Sequence, residues 1–157
     1  MIRHRQPETA VTDLSPIPRS AEFVRCYGCG PANEHGLRLE FHLDDANQRV
    51  EARWHPGTHF AGYKTMVHGG IIATLIDEGM GWALWGLARK TGVTRELKVR
   101  YLRPVLTEQE YVIHGWVERV EEGFAVVRST VSDRRGRVAA DGSAEWALIS
   151  ADKVRDR

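Results

Sequence analysis

The sequence predicts an α+β protein in which an antiparallel sheet of about six strands curls around one long helix. Three observations lead there. Residues 69–90 contain no proline and are rich in Ile, Ala, Leu, Met and Trp, which at 1.5 Å per residue makes a helix on the order of 30 Å long. Its apolar residues fall nearly all round the axis (Ile71, Ile72, Leu75, Ile76, Met80, Trp82, Leu84, Trp85), so other elements must enclose it. The segments on either side alternate apolar and polar residues between turn signals, as strands half-buried against a covering layer do.

Residues 1–21 read as an extended arm, because Pro7, Pro16 and Pro18 block helix formation and the few apolar residues have no period; loose packing is expected. Leu37, Leu39, Phe41 and Leu43 then alternate, Asp44-Asp45-Ala46-Asn47 turns the chain, and Val50, Ala52 and Trp54 alternate again, predicting a first hairpin. Gly57, Phe60, Gly62 and Tyr63 mark a loop with one short helical turn before the long helix. Lys90 and Gly92 supply the cationic last turn and glycine stop of that helix. Strands follow at 94–105, 110–120, 124–133 and 137–150, with tight hairpins at Glu121-Glu122-Gly123 and Arg134-Arg135-Gly136. In the first of these, Leu97, Val99 and Tyr101 share one face and Glu96, Lys98 and Arg100 the other, the pattern of a sheet covered on one side. The folded domain is expected to span 22–151, with a charged tail at 152–157.

Composition bounds the function. A chain of 157 residues with 42% hydrophobic and 27% charged residues suits one globular domain with a real core. The formal charge of +1 lacks the excess that draws nucleic acid, so no nucleic-acid partner is expected. No membrane partner is expected either, because the most apolar stretch, 67–87, carries Asp77 and Glu78 and the mean hydropathy is −0.39. Residues 6–20 offer no apolar signal core, which makes a cytoplasmic address the default. Cys26 and Cys29 form a C-x-x-C pair, too few cysteines for a disulfide scaffold. With His35 they supply at most three of the four ligands of a structural zinc site, and no thioredoxin-type context surrounds them. A zinc site would need His42, another histidine or a second subunit to complete it, so the pair is read in preference as small hydrophobes in a tight turn closed by Gly28 and Gly30, with no metal expected among the site residues.

The run Val67-His68-Gly69-Gly70 opens the long helix, and each glycine there costs roughly 1 kcal/mol relative to alanine. One explanation is tight helix–sheet packing, with His68 bonded to backbone. The other is close approach of a ligand: the first N–H groups of a helix have no intrahelical partners and carry the positive end of its dipole, so Gly69 and Gly70 would polarise a carbonyl oxygen. Asp77 and Glu78, in the middle of an apolar helix, are costly unless paired or set in a cleft.

These residues carry a family resemblance. The H-G-G run, an acidic residue nine positions after the histidine, which selects Asp77, and the strand Leu97-Lys98-Val99-Arg100-Tyr101-Leu102-Arg103-Pro104 resemble the hot-dog-fold acyl-CoA thioesterases, in particular the phenylacetate-pathway type. The likeness extends over about residues 26–150, and Cys26-Tyr27-Gly28-Cys29-Gly30 with Asn33, Gly36 and Leu37 is similar to a lead-in of some uncharacterised members. The resemblance implies a homodimer, often paired into a tetramer, that hydrolyses acyl-CoA or acyl-carrier thioesters. The carbonyl would lie against Gly69 or Gly70, beside His68, and Asp77 would reach it from the partner subunit as general base or nucleophile. Val67, Tyr101, Arg103 and Glu78 are the expected substrate contacts, and the only cofactor-like group is the coenzyme A of the substrate.

The chain departs from that pattern at Gly62, where members often carry Asn or Gln, at Arg103, where some carry a small hydroxyl residue, and at Gly81, one turn after Asp77. His59, Tyr63 and Glu78 are the candidates to replace the missing helpers. The gap at Gly62 keeps open a second function, a non-catalytic acyl-CoA binding or sensing module. A hydratase ranks third, since no histidine follows Asp77 on the helix.

Overall fold

The computed structural model describes residues 14–150. Its elements are β1 (Ser15–Pro16), β2 (His42–Asp44), β3 (Arg49–Trp54), β4 (Ala61–Tyr63), β5 (Met66–Val67), α1 (Gly69–Ala88), β6 (Thr91–Tyr101), β7 (Tyr111–Val120), β8 (Phe124–Asp133) and β9 (Val138–Ile149). Seven strands form one antiparallel sheet in the order β1-β2-β3-β7-β8-β9-β6, and β4 pairs with β5 separately. The expected sheet around one helix is what the chain forms, with the six anticipated strands joined by β1.

Enclosure of α1 explains its all-round apolarity. Leu75, Ile76, Met80, Ala83 and Leu84 are buried to within 1% against Ile113, Ala125, Val127 and Val131 of the sheet. The helix backbone comes so close to β7 that a Cβ at Gly115 would overlap the Gly79 carbonyl oxygen, and only glycine fits there. Among the described residues no helix is long and apolar enough to cross a membrane.

Several expectations shift at their edges. The alternation at 37–41 buries Leu37, Leu39 and Phe41 as a strand would, yet only His42–Asp44 pairs in the sheet. The reason is that Leu37 and Leu39 donate their N–H groups to the carbonyls of Tyr27 and Gly28, so this extended chain braces the cysteine turn instead. The short helical turn before α1 is Thr58–Phe60, and the turn after β2 is a 3-10 turn capped by Asp44. Helix α1 stops at Ala88, where Arg89, not a glycine, takes the left-handed conformation at φ 55°. Gly92 belongs to β6, where a Cβ would press on the Ala147 carbonyl of the neighbouring strand.

Of the expected arm, 1–13 lie outside the described residues, as does the tail at 152–157. From Ser15 onward the chain packs more closely than anticipated. Ser15–Pro16 pairs with β2, Ile17 is buried, and the Trp85 indole N–H donates to the Pro18 carbonyl at 3.0 Å.

Candidate active site

Two regions of α1 hold the candidate residues. At its start, the chain is fixed by bonds from the Val67 N–H to the Val105 carbonyl (2.8 Å) and from the His68 N–H to the Phe60 carbonyl (2.9 Å). His68 is the N-cap, its Nδ1 accepting the Gly70 N–H at 2.9 Å, which places the proton of a neutral ring on Nε2. The Tyr101 hydroxyl reaches across from β6 and donates to the Gly69 carbonyl at 2.9 Å. The Gly69 N–H donates to no atom of the described residues. A Cβ at Gly69 would make ordinary contact with the Tyr101 ring at 3.6 Å, and one at Gly70 would crowd only the rotatable His68 ring at 3.1 Å. Sheet packing therefore does not demand these glycines.

Eight residues on, roughly 12 Å along the axis, Asp77 lines a largely apolar cavity of about 120 Å³ with Phe23, Trp82, Trp85 and Trp146. Burial pushes the Asp77 carboxyl up from its ordinary value, and one hydrogen bond, from the Thr94 hydroxyl to Oδ1 at 2.7 Å, pulls the other way. Such a group is a stronger base than a solvated carboxylate.

The same cavity is lined by Cys26, Cys29 and Glu78. The Cys26 thiol donates to Glu78 Oε1 at 3.2 Å. A Cβ at Gly28 would fall inside the Glu78 side chain, so a glycine between the cysteines is what lets Glu78 lie over their turn. Burial first, and then the Glu78 carboxylate, push the Cys29 thiol well above its usual range.

Asp77 and the helix start thus face different spaces within one chain. His68 and Gly70 border a second, open concavity with Tyr27, His35, His59 and Phe60. Val67 is buried in the core, Tyr101 is 55% exposed rather than filling it, and Arg103 is committed to the Val138 carbonyl at 2.8 Å. Arg100 is held by Asp141 through two bonds of 2.9 and 2.7 Å. Of the three proposed helpers, Glu78 serves Cys26, His59 lies tilted against the Phe60 ring, and Tyr63 is 63% exposed.

Thr94 is the side chain that actually meets Asp77, and sequence reasoning passed over it. The only available signal was topological: a strand leaving the C-terminus of α1 and returning along it must lay its first residues beside the middle of the helix. Trp146, whose buried indole N–H has no partner among the described residues, was missed for the same reason.

Residues 65–140 match the family model described as the thioesterase superfamily. The mouse acyl-coenzyme A thioesterase THEM4 is 26% identical over 117 residues, 73% of this chain and 47% of that protein. The chain spans less than half the length of the first curated relatives it matches. Among solved structures, zebrafish thioesterase superfamily member 2 superposes with a TM-score of 0.69 at 20% identity, over 82% of this chain and 94% of that one. A hypothetical thioesterase from Streptococcus pneumoniae, solved with coenzyme A, gives 0.62 at 20% identity, over 65% and 82%. The family model matches residues 65–140, just under half of the chain, and these structures share its architecture: the chain has the hot-dog fold and is similar to the thioesterase superfamily.

Proposed function

We propose that the protein hydrolyses acyl-CoA thioesters, with Asp77 acting on the carbonyl carbon and the start of α1 holding the carbonyl oxygen. The observation that carries this reading is Asp77 itself: a carboxyl raised by burial, bonded on one oxygen to Thr94, in a cavity with the largely apolar lining that suits an acyl chain. The Gly69 N–H is the first oxyanion donor, and the Gly70 N–H becomes the second when His68 gives up its capping bond.

Two routes are consistent with this arrangement. As general base, Asp77 takes a proton from water while the water oxygen attacks the carbonyl carbon; the tetrahedral intermediate then expels the coenzyme A thiolate. As nucleophile, the carboxylate attacks directly, the thiolate leaves, and water hydrolyses the resulting anhydride. A thiol of pKa about 8.5 leaves without a general acid.

The roughly 12 Å between Gly69 and Asp77 supports a site shared by two chains, Asp77 from one meeting the helix start of the other. Strand β6 suits such pairing. It is an 11-residue strand with no neighbour beyond it among the described residues, and it exposes Val93 and Tyr101, with Leu102 just past its end.

The test is hydrolysis of short, medium and aromatic acyl-CoAs followed with a thiol reagent, alongside the molecular mass in solution. Turnover by a dimer or tetramer, abolished in Asp77→Ala, is the expected result. Tight acyl-CoA binding without turnover across the panel replaces this reading with that of a binding module. The Thr94 bond to Asp77 favours catalysis, since it fills the gap that Gly62 left open.

A further inference from the structure

Hydrolysis as proposed makes no use of three side chains that share the Asp77 cavity. Cys26 and Cys29 enter it from the turn that precedes the braced segment at 37–41, and Glu78 enters it from α1, 52 residues beyond Cys26. One ligand atom from each lies within 4.8 Å of the others, and Cys26 Sγ is 3.2 Å from Glu78 Oε1. In a tetrahedral zinc site, thiolates lie about 3.8 Å apart and a thiolate and a carboxylate oxygen about 3.5 Å apart. The three groups are gathered closely enough that small side-chain movements complete one face of such a tetrahedron.

The surrounding backbone holds that face in place. The Gly30 N–H bonds to the Cys26 carbonyl at 2.8 Å, and Leu37 and Leu39 tie down Tyr27 and Gly28 at 2.8 and 2.9 Å. Gly28 leaves the room through which Glu78 reaches the thiols. A ligand count along the cysteine segment alone stops short because it looks to His35, which borders the other concavity with His59 and His68. The third ligand comes from the helix.

We propose that Cys26, Cys29 and Glu78 bind one Zn²⁺ per chain, with the fourth coordination position open to the cavity that holds Asp77. Two thiolates select a thiophilic cation over Mg²⁺ or Ca²⁺, and a single carboxylate completes a three-ligand set of the kind that leaves a position for water. Binding releases the two thiol protons and replaces the Cys26–Glu78 hydrogen bond with metal bonds. The proposal is independent of the hydrolysis reading, because the metal is measured without substrate.

The experiment uses the untagged full chain, fully reduced, dialysed against Zn²⁺ and separately against Co²⁺. The expected result is one equivalent of zinc, and a cobalt spectrum with intense thiolate-to-metal charge transfer together with the visible bands of a tetrahedral site. Cys26→Ser and Cys29→Ser each lose the charge-transfer band in part, and the double variant loses it altogether. Glu78→Gln weakens zinc binding at least about tenfold while keeping both thiolate bands. A substoichiometric zinc content in folded, reduced wild-type protein overturns the proposal, as does a cobalt spectrum without thiolate charge transfer. Both of these readouts come from the wild type, so they stand even where a variant fails to fold.

Discussion

The start and the middle of α1 present contrasting kinds of reactive surface. At the start, the functional groups are backbone: the Gly69 N–H, the Gly70 N–H held by His68, and the Gly69 carbonyl steadied by Tyr101. In the middle they are side chains, and each partner arrives from a distant part of the chain, Thr94 from β6 and Cys26 from the turn far upstream. Polarity at the start is a by-product of ending a helix, whereas in the middle ionisable groups are maintained against burial. The start should therefore tolerate change in its side chains while responding to bulk, and the middle should couple activity to stability and pH.

Asp77→Asn draws this contrast most sharply. Turnover should fall by about 10²–10⁴-fold. Thermal stability at neutral pH should rise, because burial holds the folded-state value of Asp77 above that of the unfolded chain. Wild-type stability then declines as pH rises from the ordinary carboxylate range through the raised value, a decline the variant lacks. Melting curves at acid and neutral pH measure this. Equal stability of the two proteins at both would show that the middle of the helix is not under strain from burial.

Thr94→Val removes the one bond that favours ionised Asp77. Turnover at neutral pH should drop roughly tenfold, and the acid limb of the pH–rate profile should move to higher pH. An unmoved limb would detach Thr94 from the reacting carboxylate.

At the helix start, Gly69→Ala should stabilise the fold by up to about 1 kcal/mol through helix propensity, since the added methyl meets only the Tyr101 ring at 3.6 Å. Turnover should nevertheless fall roughly tenfold, because the methyl stands where the thioester must approach. If activity were retained, the helix start would be merely structural. Tyr101→Phe is the smallest change, costing about 1 kcal/mol of stability by freeing the Gly69 carbonyl, with kcat nearly unchanged; chemical denaturation and steady-state kinetics report the two effects.

What could be read from the sequence follows the same division. The enclosed helix, its glycine start and the two long hairpins at the C-terminal end were legible because each is written in local periodicity or turn chemistry. The end of α1 was misplaced by the assumption that a glycine must terminate it, when Arg89 takes the left-handed position and Gly92 answers to strand packing against Ala147. Thr94 and the reach of Glu78 to Cys26 were illegible because they depend on which residues fold back onto the helix. A lone threonine and a lone glutamate carry no mark of that.

The approach of Gly115 to the Gly79 carbonyl gives α1 a fixed mooring near its midpoint. A helix anchored backbone to backbone cannot slide or roll to accommodate a longer guest. With the proposed activity, adaptation to acyl groups of different length would therefore come from the opposite wall, where Ser20 and Phe23 of the N-terminal segment close the cavity. In variants of this fold selected for new chain lengths, that wall is where substitutions should accumulate, while the Gly79–Gly115 contact stays unchanged as the fixed end of a molecular calliper.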